Sequence, residues 1–164
     1  MVLGFVFVWF EFRPKQEASQ ATIYTIQDFD VSFTLPLGWS AKPYPNSSST
    51  IFLSPADFEF PGAWEGPLTP ITIMVEKNSK ILNEANQALV KDEPSLKIEN
   101  TEYKGYKALR ITGVPIDTPY LSGRYYDSFS IQRGNDVIRL DSFGVDSNPR
   151  YEQELKAIIQ SLDI

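Results

Sequence analysis

At 164 residues with a net charge of −6, the chain is sized for one domain with a sizeable core and carries no basic surplus for gripping a phosphate backbone. It contains neither cysteine nor histidine, which excludes disulfides, thiolate or imidazole metal sites, and Cys–His or Ser–His hydrolases. Hydrophobic content of 42% and charge content of 22% are those of a globular protein, and the 13% aromatic content leans toward strands.

Val2 to Phe12 is apolar apart from Gly4 and Glu11, and Arg13, Pro14 and Lys15 follow it. As a helix this run spans roughly half of a bilayer core, and no basic residues precede it as they would in a complete secretory signal. We read residues 1–12 as the end of a longer signal or membrane anchor, since such a run left exposed is an aggregation hazard. The alternative is an added strand over Phe5 to Phe10, which would suit a cytoplasmic adaptor. The basic residues after the run count somewhat against export. Residues 13–22 are polar and read as a linker to a single domain over 23–164.

Val31, Phe33, Leu35 and Leu37 alternate with Ser32, Thr34 and Pro36, a period of two that marks a half-buried strand ending at Gly38-Trp39. Lys42 to Ser49 reads as a loop, Ile51 to Leu53 as a short strand, and Ile71 to Val75 as another. Between them, Ser54 to Pro70 holds four prolines and the aromatics Phe58, Phe60 and Trp64, a length and composition suited to an Ω-like loop or lid. Asn78 or Ser79 caps an expected helix reaching about Lys91, with Ile81, Leu82, Ala85 and Leu89 on one stripe and Pro94 beyond it. Leu96 to Thr101 and Tyr106 to Val114 form a strand pair turning at Lys104-Gly105. After a second long loop, Pro115 to Gly123, a hairpin is expected: Tyr125 to Ile131, a turn over Arg133 to Asp136, and Val137 to Phe143. Asn148 and Pro149 then sit at the cap and first turn of a helix whose Tyr151, Leu155, Ile158, Ile159 and Leu162 share one face. The expected fold is α+β, with a central, mainly antiparallel sheet of about six to seven strands in the order β-β-β-α-β-β-β-β-α.

No phosphate loop or calcium loop is present. Among Asp117, Asp127, Asp136, Asp141 and Asp146, the two strand residues Asp127 and Asp141 are expected to face solvent or to pair with Arg124 or Arg139. A carboxylate-based hydrolase would need two acids facing one another in a single cleft. The Asn46-Ser47-Ser48 triplet fits a glycosylation acceptor, a pattern common by chance. The one site hypothesis lies in the aromatics Trp39, Tyr44, Phe58, Phe60, Trp64, Tyr120 and Tyr125. With Arg124 they have the composition of a binding hot spot, if they gather at one end of the sheet. Trp39, Tyr44, Phe58, Trp64, Tyr120 and Arg124 are the candidate binding residues. The competing reading packs these rings beneath their own loops. No catalytic residue, cofactor or metal site is expected.

The strand Val31-Ser32-Phe33-Thr34-Leu35-Pro36-Leu37-Gly38-Trp39 resembles the opening of PsbP-like domains, where an alternating strand ends in Pro-x-Gly-Trp. The likeness continues through Phe52, the strand Ile71-Thr72-Ile73-Met74-Val75, the turn Tyr103-Lys104-Gly105-Tyr106, the hairpin from Arg124 to Phe143 and the closing helix. It covers most of residues 29–164, in order and spacing more than in identity. It implies an α/β/α sandwich and an interaction protein rather than an enzyme, since the family includes an extrinsic photosystem II subunit, bacterial lipoproteins and Ran-binding import factors. Without cysteine the lipid anchor of the lipoproteins does not carry over, and no family functional residue is transferred. The resulting expectation is a membrane-tethered or secreted domain outside the cytoplasm that binds a protein partner or ligand and no nucleic acid. A small-molecule or lipid carrier with a cleft under the 54–70 loop is the main alternative.

Overall fold

The computed structural model describes residues 21–58, 70–81, 91, 93–116, 123–143 and 149–164. Nine strands, a short 3-10 turn over Gln27–Phe29 and one α-helix seen end to end are found there: β1 (Thr22–Ile26), β2 (Val31–Leu35), β3 (Trp39–Pro43), β4 (Thr50–Pro55), β5 (Ile71–Glu76), β6 (Lys97–Tyr103), β7 (Tyr106–Gly113), β8 (Tyr126–Arg133), β9 (Asp136–Phe143) and α1 (Glu152–Ser161). β3 to β9 build one seven-stranded sheet in the order β3-β4-β5-β9-β8-β7-β6, and β1 and β2 form a separate hairpin. Every described pairing is antiparallel, so the expected α+β class and sheet hold.

Two strands escaped the sequence reading. β1 begins at Thr22, the last residue of the expected linker, and pairs along its whole length with β2. β3 occupies Trp39 to Pro43, where a strand end and a loop were expected. The reason lies in the turn between β2 and β3. Leu37 and Gly38 are its two central residues, the Trp39 N–H donates to the Pro36 carbonyl at 3.0 Å, and Gly38 takes φ 76°. That positive φ at the third position is what a type II turn requires, and glycine supplies it without a steric penalty. The Pro-x-Gly-Trp sequence is therefore the crossover from hairpin to main sheet. Leu37, expected as the last inward residue of the strand, stands at the turn tip 76% exposed.

Alternation sets the two faces of the sheet. One face carries Ile51, Leu53, Ile71, Ile73, Val75, Ala108, Phe129, Ile131, Ile138 and Leu140, all buried. The β1–β2 hairpin and α1 cover it, contributing Val31, Phe33, Leu155, Ile158 and Leu162. The helix stripe predicted from spacing is the one that packs, but the helix starts later than expected. Tyr151 is its N-cap, without a side-chain cap bond, and Pro149 lies ahead of it, while Asn148 falls outside the described residues. Glu152 and Glu154 in the first turn complement the helix dipole instead. At the other end, the Tyr103 hydroxyl donates to the Ile159 and Leu162 carbonyls at 2.7 and 2.9 Å, so the β6–β7 turn closes the helix terminus.

The second face holds a smaller cluster: Ile81, Leu96, Leu109, Ile111, Tyr126 and Val137. The helix expected over 79–91 lies mostly outside the described residues; Ser79 to Ile81 are not helical and Lys91 is. The apolar segment 1–12 also lies outside them, and no described helix is long and apolar enough to cross a membrane.

Candidate functional site

The second face changes character toward the β3 edge. Registers place Phe52 beside Thr72, Thr72 beside Asp141 and Asp141 beside Ser128, forming one row across β4, β5, β9 and β8. Thr50 and Met74 lie in the row on one side, Phe143 and Tyr126 in the row on the other. Between these rows opens a slot of about 320 Å³ lined by Tyr44, Thr50, Phe52, Thr72, Met74, Asp141 and Phe143. Tyr44, just beyond β3, meets Phe52 edge-on with ring centroids 5.2 Å apart. Phe143 stacks on Tyr126 at 5.5 Å. Three rings and a thioether thus surround one carboxyl group.

Asp141 is buried, contrary to the expectation of a solvent-facing or arginine-paired strand residue. Its Oδ1 accepts the Tyr126 hydroxyl at 3.1 Å. Loss of water pushes its pKa up from the ordinary aspartate value, opposed by hydrogen bonding from Ser128 and by the charge of Arg139. Burial likewise pushes the Tyr126 hydroxyl up, so it stays a donor. Arg139, two residues along β9, is paired with Glu76 at 3.0 Å, and Glu76 also accepts the Ser79 hydroxyl at 3.0 Å.

Asp127 is also buried, on the opposite face from Asp141, since Asp127 aligns with Ser142 and Asp141 with Ser128. Its partner is Arg110 of β7, neither Arg124 nor Arg139: Nε and Nη2 donate to its two oxygens at 2.9 and 2.6 Å. That fork raises the Arg110 pKa, chiefly through the hydrogen bond to Asp127. With a sheet between them, Asp127 and Asp141 do not make the facing pair that glycoside cleavage needs. Glu93, buried as well, accepts the Ile116 N–H at 2.7 Å, tying together the ends of two loops.

Of the six candidate binding residues, the four that are described are not gathered at one place. Trp39 faces the main core and meets the Tyr151 ring edge-on at 5.4 Å. Tyr44 is on the other face, 45% exposed, at the slot. Phe58 is half-buried just past β4, its N–H donating to the Pro55 carbonyl at 3.0 Å. Arg124 is half-buried ahead of β8, and Trp64 and Tyr120 lie outside the described residues. What the sequence reading missed was Asp141 with Thr72, Met74 and Phe143. The available signal was an acid inside Val137-Ile138-Arg139-Leu140-Asp141-Ser142-Phe143, in a strand otherwise dominated by buried apolar residues, where aspartate is disfavoured.

A larger groove of about 820 Å³ lies at the far end of the same face, among Lys80, Asn100, Glu102, Lys107, Gln132 and Asn135. Gln132 there is committed to structure. Its Oε1 accepts the Ile81 N–H at 3.0 Å and its Nε2 donates to the Ser79, Gly134 and Asp136 carbonyls.

No family model and no curated protein matches the chain. Among solved structures it is similar to the solution structure of cyanobacterial PsbP (CyanoP) from Synechocystis sp. PCC 6803. The TM-score is 0.52 at 10% identity, covering 87% of this chain and 91% of that one. A crystal structure from Bacteroides thetaiotaomicron matches with a TM-score of 0.47 at 15% identity, over 81% of this chain and 44% of that one. The fold is therefore PsbP-like, as the sequence resemblance implied.

Proposed function

We propose that this chain is a non-catalytic binding domain that works outside the cytoplasm, held at a membrane through residues 1–12, and that it docks a protein partner over the slot near the β3 edge. The observation that carries this reading is the slot itself: three aromatic rings and Met74 around a single buried acid, beside an exposed Tyr44. Rings at the rim and a desolvated polar group at the floor are the composition of an interface anchor point. Among the described residues, the other buried acids are engaged in holding the fold, Asp127 by Arg110 and Glu93 by a loop backbone. The apolar run at residues 2–12 supports the tether, and the resemblance to a family that includes an extrinsic photosystem subunit supports the location.

A small-ligand carrier is the second reading, favoured by the slot volume, which reaches the lower end of the range for small-molecule sites. The test is a photo-crosslinking amino acid placed at Tyr44 or, as the control, at Glu99 on the opposite edge strand β6, in the full chain in intact membranes. A discrete protein adduct at position 44 that disappears with Phe52→Ala, and none at position 99, is the expected result. The same adducts at both positions, or none at position 44, would overturn the docking reading.

A further inference from the structure

We infer that the slot receives the guanidinium group of an arginine side chain carried by the partner, with Asp141 taking its charge and the rings of Tyr44, Phe52 and Phe143 its planar faces. This rests on the slot being the docking site. Three features of the slot select that group over others.

The first is the floor. A carboxyl group offers about four lone-pair positions, and the Tyr126 and Ser128 hydroxyls occupy only part of that capacity. Among the described residues no cation lies within ion-pair distance of Asp141, because Arg139 is turned to Glu76. A buried carboxylate without a counter-charge is costly, and a cation delivered by a partner removes that cost. The second is the wall. Aromatic faces attract cations, and the flat guanidinium both stacks on rings and donates two parallel hydrogen bonds to a carboxylate. The third is the charge of the whole chain, −6, which steers cationic groups toward it.

Binding is coupled to a proton. Burial keeps Asp141 protonated to higher pH than an ordinary aspartate, while the arginine requires the ionised form. The charged and titratable groups around it are Arg139 on its own strand, Glu76 on β5, Tyr126 on β8, Tyr44 beyond β3 and, at the exposed far end of the row, Lys42. Arg139 and Glu76 are paired with one another, and burial keeps the Tyr126 hydroxyl protonated, so the ionisation of Asp141 is what the arginine meets. Affinity for the arginine side chain accordingly rises with pH.

The experiment titrates the full chain with N-acetyl-arginine methylamide, its lysine analogue and its leucine analogue. Ring-proton NMR shifts of Tyr44, Phe52 and Phe143 report occupancy between pH 4 and 8. The expected result is saturable shifts with the arginine probe, at least tenfold weaker binding in Asp141→Asn, and weakening as pH falls. The stacked Tyr126 and Phe143 shifts confirm that the variant is folded. A leucine probe that binds as well as arginine, with Asp141→Asn indifferent, would overturn the arginine assignment but keep the slot as a docking site. Tighter binding of the lysine probe would overturn the choice of guanidinium alone. If none of the probes moves the slot resonances, the docking reading fails with it.

Discussion

On β8, Phe129 and Ile131 turn toward α1 and the β1–β2 hairpin, while Ser128 and Ser130 turn to the other side, and all four are buried. The same strands thus serve a dry face and a polar one. On the dry face the buried positions are aliphatic or aromatic except for Ser142 and the arginine-paired Asp127, and burial of the apolar ones supplies the stability of the domain. On the polar face Thr72, Ser128, Ser130 and Asp141 are desolvated and must be held by hydrogen bonds. The two faces therefore differ in what burial leaves behind: apolar packing on one, and on the other a desolvated acid that accepts the Tyr126 hydroxyl.

The largest effect expected from this contrast comes from removing side chains on the dry face. Leu140→Ala, at a fully buried position, should cost about 2–5 kcal/mol in urea unfolding. Met74→Ala, half-exposed on the strand neighbouring β9, should cost about 1 kcal/mol or less. Equal losses at the two positions would mean that the slot side is packed as tightly as the core.

Next in size is the exception at the margin of the dry face. Arg110→Ala leaves Asp127 buried with both oxygens unpartnered. Breaking a buried pair in this way costs about 3–5 kcal/mol, reduced to about 2–3 here because 29% of the Arg110 side chain is exposed and water can reach the gap. The companion Arg110→Leu with Asp127→Leu should recover most of that loss, because it removes both charges together. If the single variant unfolds no earlier than the parent, the fork is ornamental. Smaller again is Tyr126→Phe on the polar face, which deletes one hydroxyl donor to Asp141 and should cost about 1 kcal/mol.

These positions also show what could be read from the sequence. The alternation of Val31, Phe33 and Leu35, the turns at Lys104-Gly105 and Gly134, and the stripe Tyr151, Leu155, Ile158 and Leu162 are local signals, and each produced the element expected. Sheet order is not local. Nothing in β5 announces that its neighbour is β9, 60-odd residues on, and without that pairing Thr72 and Asp141 cannot be placed side by side. Trp39 and Tyr44 looked alike as loop aromatics. Strand β3, which begins at Trp39 and ends just before Tyr44, sends one to the core and the other to the slot. Ring-rich composition raised the expectation of a binding surface; only the register says which rings lie together.

The smallest effect is the one whose sign separates the two faces most sharply. An acid placed for stability is more acidic in the folded chain than in the unfolded one, and Asp141 is the reverse. The unfolded chain releases that proton near the ordinary value of 3.8, whereas the folded chain holds it to higher pH. Above 3.8 the unfolded state therefore binds fewer protons than the native state, and stability falls as pH rises until the folded group has also ionised. Asp141→Asn mimics the protonated form, keeps an oxygen for the Tyr126 hydroxyl and cannot ionise. Parent and variant should have matching urea midpoints at and below pH 4, and the variant should become the more stable of the two as pH climbs from there. A variant that is less stable than the parent at pH 7 would show that ionised Asp141 is held by favourable contacts within the fold. The slot acid would then belong with Asp127 as a structural group, and the proposed division between a face that folds and a face that binds would not stand.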